Sequence, residues 1–426
     1  MSRALKIDLL FNYASLGVLA ASGLVMNLVV VRVMGDAALG VFNQAYAVYI
    51  AASQLAVGGV HLSVLRSVAQ SSEDPRERAP VIASGLLLSF ALGVALCLAV
   101  LLTRGFWGRL LESPAVSDAL VFVGPALIPF SLNKTLLAAL NALERMRTFA
   151  GLQTLRFLVM LLVLGAVAWK ERPPAELSAC FLFAEALVSV VAFGCLRACV
   201  RFGRRDVARS WLRHHLSFGA RGLLSGVFME LNTRIDVLVI GVFASDQDVG
   251  RYSLAAVFAE GLYQCLIVVK NQLNPVLAQL LVKGTSTQIR ELVHRAWRYV
   301  YPGMALAYLA GLGVFWLLLR FQLQLSEPSE ALACYAILGL GVLAVSGFVP
   351  FDGILLFAGK PAHYTLFTFS IAISNLALNL LFVPLLGIRG AALGTALALG
   401  LSIASLSLIM RRELGFSYMG RSPARG

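Results

Sequence analysis

Charge is scarce in this chain. Only 13% of its 426 residues are Asp, Glu, Lys or Arg, against 59% hydrophobic. A soluble domain carries about 25% charged and about 45–50% apolar residues, so this chain has too little polar surface to coat a globule in water. Histidine and cysteine are few as well. The five histidines are scattered, the six cysteines lie mostly in apolar stretches, and no C-x2-C pair occurs. That excludes a zinc pattern and a disulfide framework, and the thiols read as small packing residues. No Gly-Lys-Ser/Thr phosphate loop, nucleophile elbow or H-E-x-x-H is present, so the chain has no ATPase of its own and none of those hydrolase signatures. Nor is there a long polar loop to hold an active site, which counts against a membrane glycan polymerase or ligase.

Apolar runs fill the space instead. A bilayer-crossing helix needs roughly 17–25 apolar residues. About twelve stretches meet that length, near 11–34, 40–65, 80–103, 118–142, 152–169, 177–198, 216–243, 250–280, 298–319, 331–357, 364–385 and 388–410. None alternates with the strand period of a barrel. The expected fold class is therefore all-α integral membrane. The first run is too long for a signal-peptide core and should remain in the mature protein.

The net charge of +13 raises the question of nucleic acid, and its distribution answers it. An even number of spans puts both termini on one side. About 22 of the 35 Lys and Arg fall on that side, most densely at Arg197, Arg201, Arg204, Arg205, Arg209 and Arg213. This is the positive-inside asymmetry, which makes both termini cytoplasmic, with some grip on anionic lipid heads. Arg32 and Arg66, near span ends, read as interfacial anchors.

The chain also repeats itself. Asp36, Gly40 and Phe42 follow one apolar run; Asp246, Gly250 and Tyr252 follow another with the same D-x3-G-x-[FY] spacing, 210 residues on. The basic loop after the sixth run divides the chain into residues 1–205 and 206–426, six spans each. Halves with an even span count enter the membrane in the same orientation, so an axis along the membrane normal relates them. Pro129-Phe130 and Pro350-Phe351 fall at similar places in the two halves, and proline bends a span. Two similar lobes that rock about a site between them make a transporter.

Chemistry should lie with ionisable residues inside the spans. Each costs roughly 2.5–3.5 kcal/mol at the bilayer centre, so ten facing lipid would cost on the order of 25–35 kcal/mol. They must line water or pair. The bases are Lys134, Arg156, Arg221, Arg234 and Lys270; the acids are Glu185, Glu230, Asp236, Glu260 and Asp352. Glu230 and Arg234 are four apart, a spacing that pairs on one helix face. Arg156 lies close enough to the cytoplasmic end of its span to snorkel. His61 is the one histidine well inside a span. Buried bases suit an anionic solute, and the acids suit charge pairing or coupling to Na+ or H+.

The segment Asn27-x4-Arg32-x2-Gly35-Asp36-x3-Gly40-x-Phe42 resembles the first connection of bacterial polysaccharide flippases. Asn232-Thr-Arg234-Ile-Asp236, then Gly241 and Gly250-x-Tyr252, is similar to its second-half counterpart, and Ala358-Gly359-Lys360 to the turn after span ten. The family is the polysaccharide transport group of the multidrug/oligosaccharidyl-lipid/polysaccharide exporter superfamily, and the resemblance covers about residues 10–410. It implies two six-helix lobes forming a V-shaped central cavity. It also implies alternating access for a polyprenyl-diphosphate-linked oligosaccharide across the bacterial inner membrane, for O-antigen, capsule or exopolysaccharide synthesis. On the resemblance, cavity bases contact the diphosphate or acidic sugars: Arg221, Arg234, Lys270, Lys134 and Arg156. Glu230, Asp236, Glu260 and Asp352 are left for ion coupling or charge pairing. The polysaccharide polymerase and chain-length machinery are the implied protein partners. A cation-coupled multidrug exporter and a lipid II flippase are the alternatives within the superfamily.

Overall fold

The structure, a computed structural model, describes residues 3–71, 75–203, 206–282, 286–323, 325–416 and 418, and their side chains outside 3–21, 75–76, 221–226, 229, 282 and 286. In order, the helices are α1 (Arg3–Val57), α2 (Val60–Gln70), α3 (Pro75–Leu110), α4 (Pro114–Ala142), α5 (Met146–Trp169), α6 (Ala179–Cys199), α7 (Arg209–Asn232), α8 (Ile235–Phe243), α9 (Asp246–Val282), α10 (Ser286–Phe321), α11 (Pro328–Val345), α12 (Ile354–Phe357) and α13 (Pro361–Leu414). Among the described residues, nine helices are long and apolar enough to cross a membrane.

Two of these helices are hairpins. A straight helix of 54 residues would run about 80 Å, far beyond a hydrocarbon core of about 30 Å. In α13 the backbone leaves helical geometry at Gly387, with φ 58° and ψ −139°. Ser370 and Ser405, nearly equidistant from Gly387, then meet through their hydroxyls at 2.9 Å. In α1 the break is Gly35, with φ 83°, and Asn43 Nδ2 donates to Asn27 Oδ1 at 2.9 Å across it. Positive φ is nearly free for glycine and costly for other residues. The sequence places span boundaries at these same two turns.

The chain forms two compact units, one up to Leu231 and one from Asn232. The contact boundary therefore falls one helix later than the division at residues 205/206. The reason is local: α7 is fastened to the first unit. His215, fully buried, bonds Ser63 Oγ through Nδ1 (2.8 Å) and the Val81 carbonyl through Nε2 (3.0 Å). Gly219 packs against the backbone of Gly58 and Gly59, both at positive φ. The core around it includes Val64, Ile82, Leu140, Leu152 and Leu196. The core of the second unit gathers Leu277, Val293, Phe351, Ile354 and Met410.

Spans seven and ten differ from expectation. The run at 216–243 is broken: α7 ends at Asn232 and α8 begins after Arg234, whose φ of −137° is not helical. The run at 331–357 is interrupted by a 3-10 turn at Val349–Phe351 before α12. Pro129, by contrast, sits inside an unbroken α4. The two Pro-Phe pairs therefore sit differently: Pro129 lies within a helix, and Pro350 lies in the 3-10 turn that interrupts its span. The break in span ten frees backbone carbonyls, and side chains supply their donors. Trp297 Nε1 donates to Gly347 O (2.7 Å), Tyr301 Oη to Ala344 O (3.3 Å) and Tyr418 Oη to Phe351 O (2.8 Å).

A methyl group on Gly219 would collide with the Gly58 carbonyl oxygen, whereas one on Gly165 would meet nothing within 4 Å. Gly219→Ala should therefore destabilise the protein by about 1–3 kcal/mol through overpacking, and Gly165→Ala should be close to neutral. Thermal unfolding of the purified variants checks this; equal melting temperatures would contradict the close α7 packing.

Candidate functional site

In the first unit the ionisable residues converge on Glu185. This side chain projects from α6 and is 4% exposed. Asn133 on α4 donates to its Oε2 at 2.7 Å and to its backbone carbonyl at 2.8 Å. Tyr49 donates to Oε1 at 3.3 Å. Arg156 Nε, on α5, lies 3.1 Å from the same Oε1. Ser189 in turn donates to Asn133 Oδ1 at 2.9 Å. Arg156 is only 9% exposed. It does not snorkel to an interface as expected; the carboxylate of α6 draws it inward.

Lys134 is one residue beyond Asn133 and half-buried. Its Nζ lies 5.3 Å over the Phe130 ring, and among the described residues no carboxylate stands at ion-pair distance from it. Arg156, Glu230 and Glu185 lie within electrostatic reach. His61, on α2, is half-buried and within the field of Lys134. Glu230 is half-buried near the end of α7. Arg221 is helical, but its side chain lies outside the described residues.

In the second unit the bases are matched to acids. Arg234 Nη2 stands 3.6 Å from Glu260 Oε2. The helix break after Asn232 removes the single-face spacing expected for Glu230 and Arg234. Lys270 on α9 pairs with Asp352 in the turn before α12. Asp236 has a different partner. It is 8% exposed, accepts the Val237 amide at 2.9 Å, and receives the Tyr252 hydroxyl. The aromatic position of the second repeat motif thus satisfies the acid of span seven. In the first copy Phe42 stacks on Phe181 instead, with centroids 5.5 Å apart.

Uncharged residues complete the second network. Asn375 donates to Asn232 Oδ1 (3.3 Å), Asn379 to Asn375 Oδ1 (2.9 Å), and Thr395 to Asn375 Oδ1 (3.2 Å). A search limited to charged groups passes over these, and over Asn133. The visible signal was Asn375-x3-Asn379, two amides on one face of an apolar span. Among the described residues, no three His, Cys, Asp or Glu side chains stand close enough to hold a metal ion.

The units therefore hold charge in hydrocarbon by different means. A buried pair broken on one side is costly, about 3–5 kcal/mol, because it leaves an uncompensated charge. Glu185→Leu should cost about that much. The double variant Glu185→Leu/Arg156→Met should recover most of the loss. A double variant no more stable than the single one would remove the pair as the reason for the cluster.

Residues 11–281 match the family model described as polysaccharide biosynthesis protein. No curated protein matches the chain. Among solved structures, it is similar to an inward-facing multidrug resistance transporter of the MATE family in the MOP superfamily. That match has 13% identity and a TM-score of 0.78, covering 93% of this chain and 94% of that one. It is similar also to the lipid II flippase MurJ in an inward closed conformation, at 14% identity and a TM-score of 0.77, covering 95% and 87%. A MOP superfamily transporter from Pyrococcus furiosus follows at 14% identity and a TM-score of 0.57, covering 94% and 93%. The chain shares the all-helical, multi-pass fold of these structures.

Proposed function

Because the chain belongs to the polysaccharide biosynthesis protein family, we propose that it is a flippase. Its cargo is a polyprenyl-diphosphate-linked oligosaccharide, carried across the bacterial inner membrane by alternating access for O-antigen, capsule or exopolysaccharide synthesis. The family match is the observation that carries this reading. The buried bases support it, since an anionic head group needs cations inside the bilayer. Counting each arm of α1 and α13 once, α7 with α8 as one span, and α11 with α12 as another, gives twelve traverses in two sets of six. We take residues 1–205 and 206–426 as the two lobes and both termini as cytoplasmic.

Lys134, Arg156, Arg221, Arg234 and Lys270 are the bases assigned to the head group. Among the acids, Glu260 and Asp352 serve as counter-charges to Arg234 and Lys270. All four acids, Glu230, Asp236, Glu260 and Asp352, are assigned to ion coupling or charge pairing. Arg and Lys suit phosphate oxygens, Arg through its planar fork. The lipid tail stays in the bilayer while the sugar exchanges sides, and the polymerase and chain-length machinery consume the product. The likeness to a multidrug transporter favours one second reading, drug export on the same fold.

Deleting the gene and measuring lipid-linked oligosaccharide by mass spectrometry, with complementation by this chain, separates the two. Accumulation of a completed repeat unit with loss of surface glycan is expected. Normal lipid-linked sugar, normal glycan and raised drug sensitivity would replace the flippase with an exporter. In the complemented strain, Arg234→Ala should reduce surface glycan far more than Arg213→Ala, an exposed arginine, at equal expression. Equal export would remove Arg234 from the transport path.

A further inference from the structure

The peptide group that enters Asp352 is held by the segment that follows α13. That helix ends at Leu414, and Gly415, with φ 71°, turns the backbone out of it. Beyond the turn, Phe416 packs against the second unit's core. Tyr418 is 1% exposed, and its ring stands 5.8 Å from that of Phe351. Its hydroxyl donates to the Phe351 carbonyl at 2.8 Å. That carbonyl belongs to the peptide group joining Phe351 to Asp352. A peptide group is planar, so this bond fixes the plane from which the Asp352 side chain departs. Tyr418 also lies within electrostatic reach of the Asp352 carboxylate. Before the turn, Glu413 meets Lys360 at 3.2 Å and His363 at 3.3 Å. The chain is thus anchored on both sides of Gly415, once to the start of α13 and once to the 3-10 turn of span ten.

The 3-10 turn and the short helix after it cannot hold themselves. α12 has four residues, far below the length at which a helix is stable alone. The Asp352 amide donates to the Val349 carbonyl at 3.3 Å, beyond the usual length of such a bond. Yet Asp352 forms the ion pair that covers Lys270. We propose that Tyr418 is a positioning residue for Asp352. By fixing the peptide group before it, Tyr418 keeps the carboxylate on Lys270 and so sets how far that ammonium is open to an incoming anion. A residue outside every span then governs a charge inside one. The positioning stands on geometry; its part in transport rests on the flippase reading, which gives Lys270 to the cargo.

The test uses the full chain in nanodiscs and reads the acetylation rate of each lysine by mass spectrometry. Tyr418→Phe keeps the ring and removes only the hydroxyl. It should speed acetylation of Lys270 about fivefold, the scale of one net hydrogen bond, and leave Lys134 in the first unit unchanged. Asp352→Asn should speed Lys270 at least as much. Adding Tyr418→Phe to Asp352→Asn should then change nothing further, because the tyrosine acts through that carboxylate. If Asp352→Asn does not fold, hydrogen exchange in Tyr418→Phe decides. The amides of residues 351–354 should exchange faster while those of α11 keep their rate. An unchanged Lys270 rate, an equal rise at Lys134, additive effects in the double variant, or faster exchange spread across the second unit overturns the assignment. Failure of the flippase reading looks different. The labelling would then follow this pattern while the deletion strain accumulates no lipid-linked sugar.

Discussion

The cost of a charge in hydrocarbon governs this structure. Every ionisable side chain placed within a span needs a counter-charge, a hydrogen-bonding cradle or water, and the helix positions are chosen to provide one. Around Glu185, four elements contribute to one carboxylate: the second arm of α1 through Tyr49, α4 through Asn133, α5 through Arg156, and α6 itself. Such a cluster fixes the rotation of each helix about its axis more tightly than apolar packing does. A leucine tolerates a slight turn of its helix, whereas an oriented hydrogen bond does not. In the second unit the same constraint is met pairwise, by Lys270 with Asp352 and Asp236 with Tyr252.

Much of the fold was legible from hydropathy because the bilayer forces each span to satisfy its backbone internally. The hairpin turns at Gly35 and Gly387 lie where the apolar runs separate, and glycine is the residue that a positive φ selects. The ionisable residues were legible as a set for the same energetic reason. Their pairing was not. Whether Arg156 meets an interface or Glu185 depends on how α5 packs against α6, a contact between residues 29 positions apart with no local signature. Asn133, Asn375 and Asn379 were missed because an amide costs less than a charge in lipid and so attracts less suspicion. In three dimensions they carry much of the hydrogen bonding.

The repeat motif shows how a shared pattern diverges in use. Both copies open a helix with an acid: Asp36 accepts the Ala37 amide at 3.0 Å, and Asp246 lies in the first turn of α9. An acid there suits the positive end of the helix dipole. The aromatic six residues later is buried in both copies, yet Phe42 only packs while Tyr252 also donates a hydrogen bond. One hydroxyl therefore lets span seven of the second unit keep a buried aspartate. The scaffold is common to the two halves, and the polar chemistry is written separately on each.

The interruption in span ten has a mechanical meaning. A helix can normally change its bend inside lipid only by exposing amide groups, which is prohibitive there. At this break the carbonyls of Ala344, Gly347 and Phe351 already draw their hydrogen bonds from Tyr301, Trp297 and Tyr418. The joint is lubricated by side chains, whose torsions are softer than a helical ladder. A change in the angle between α11 and α12 would have to be taken up by these side-chain bonds and not by a helical ladder, and Asp352, in the turn before α12, would move with it.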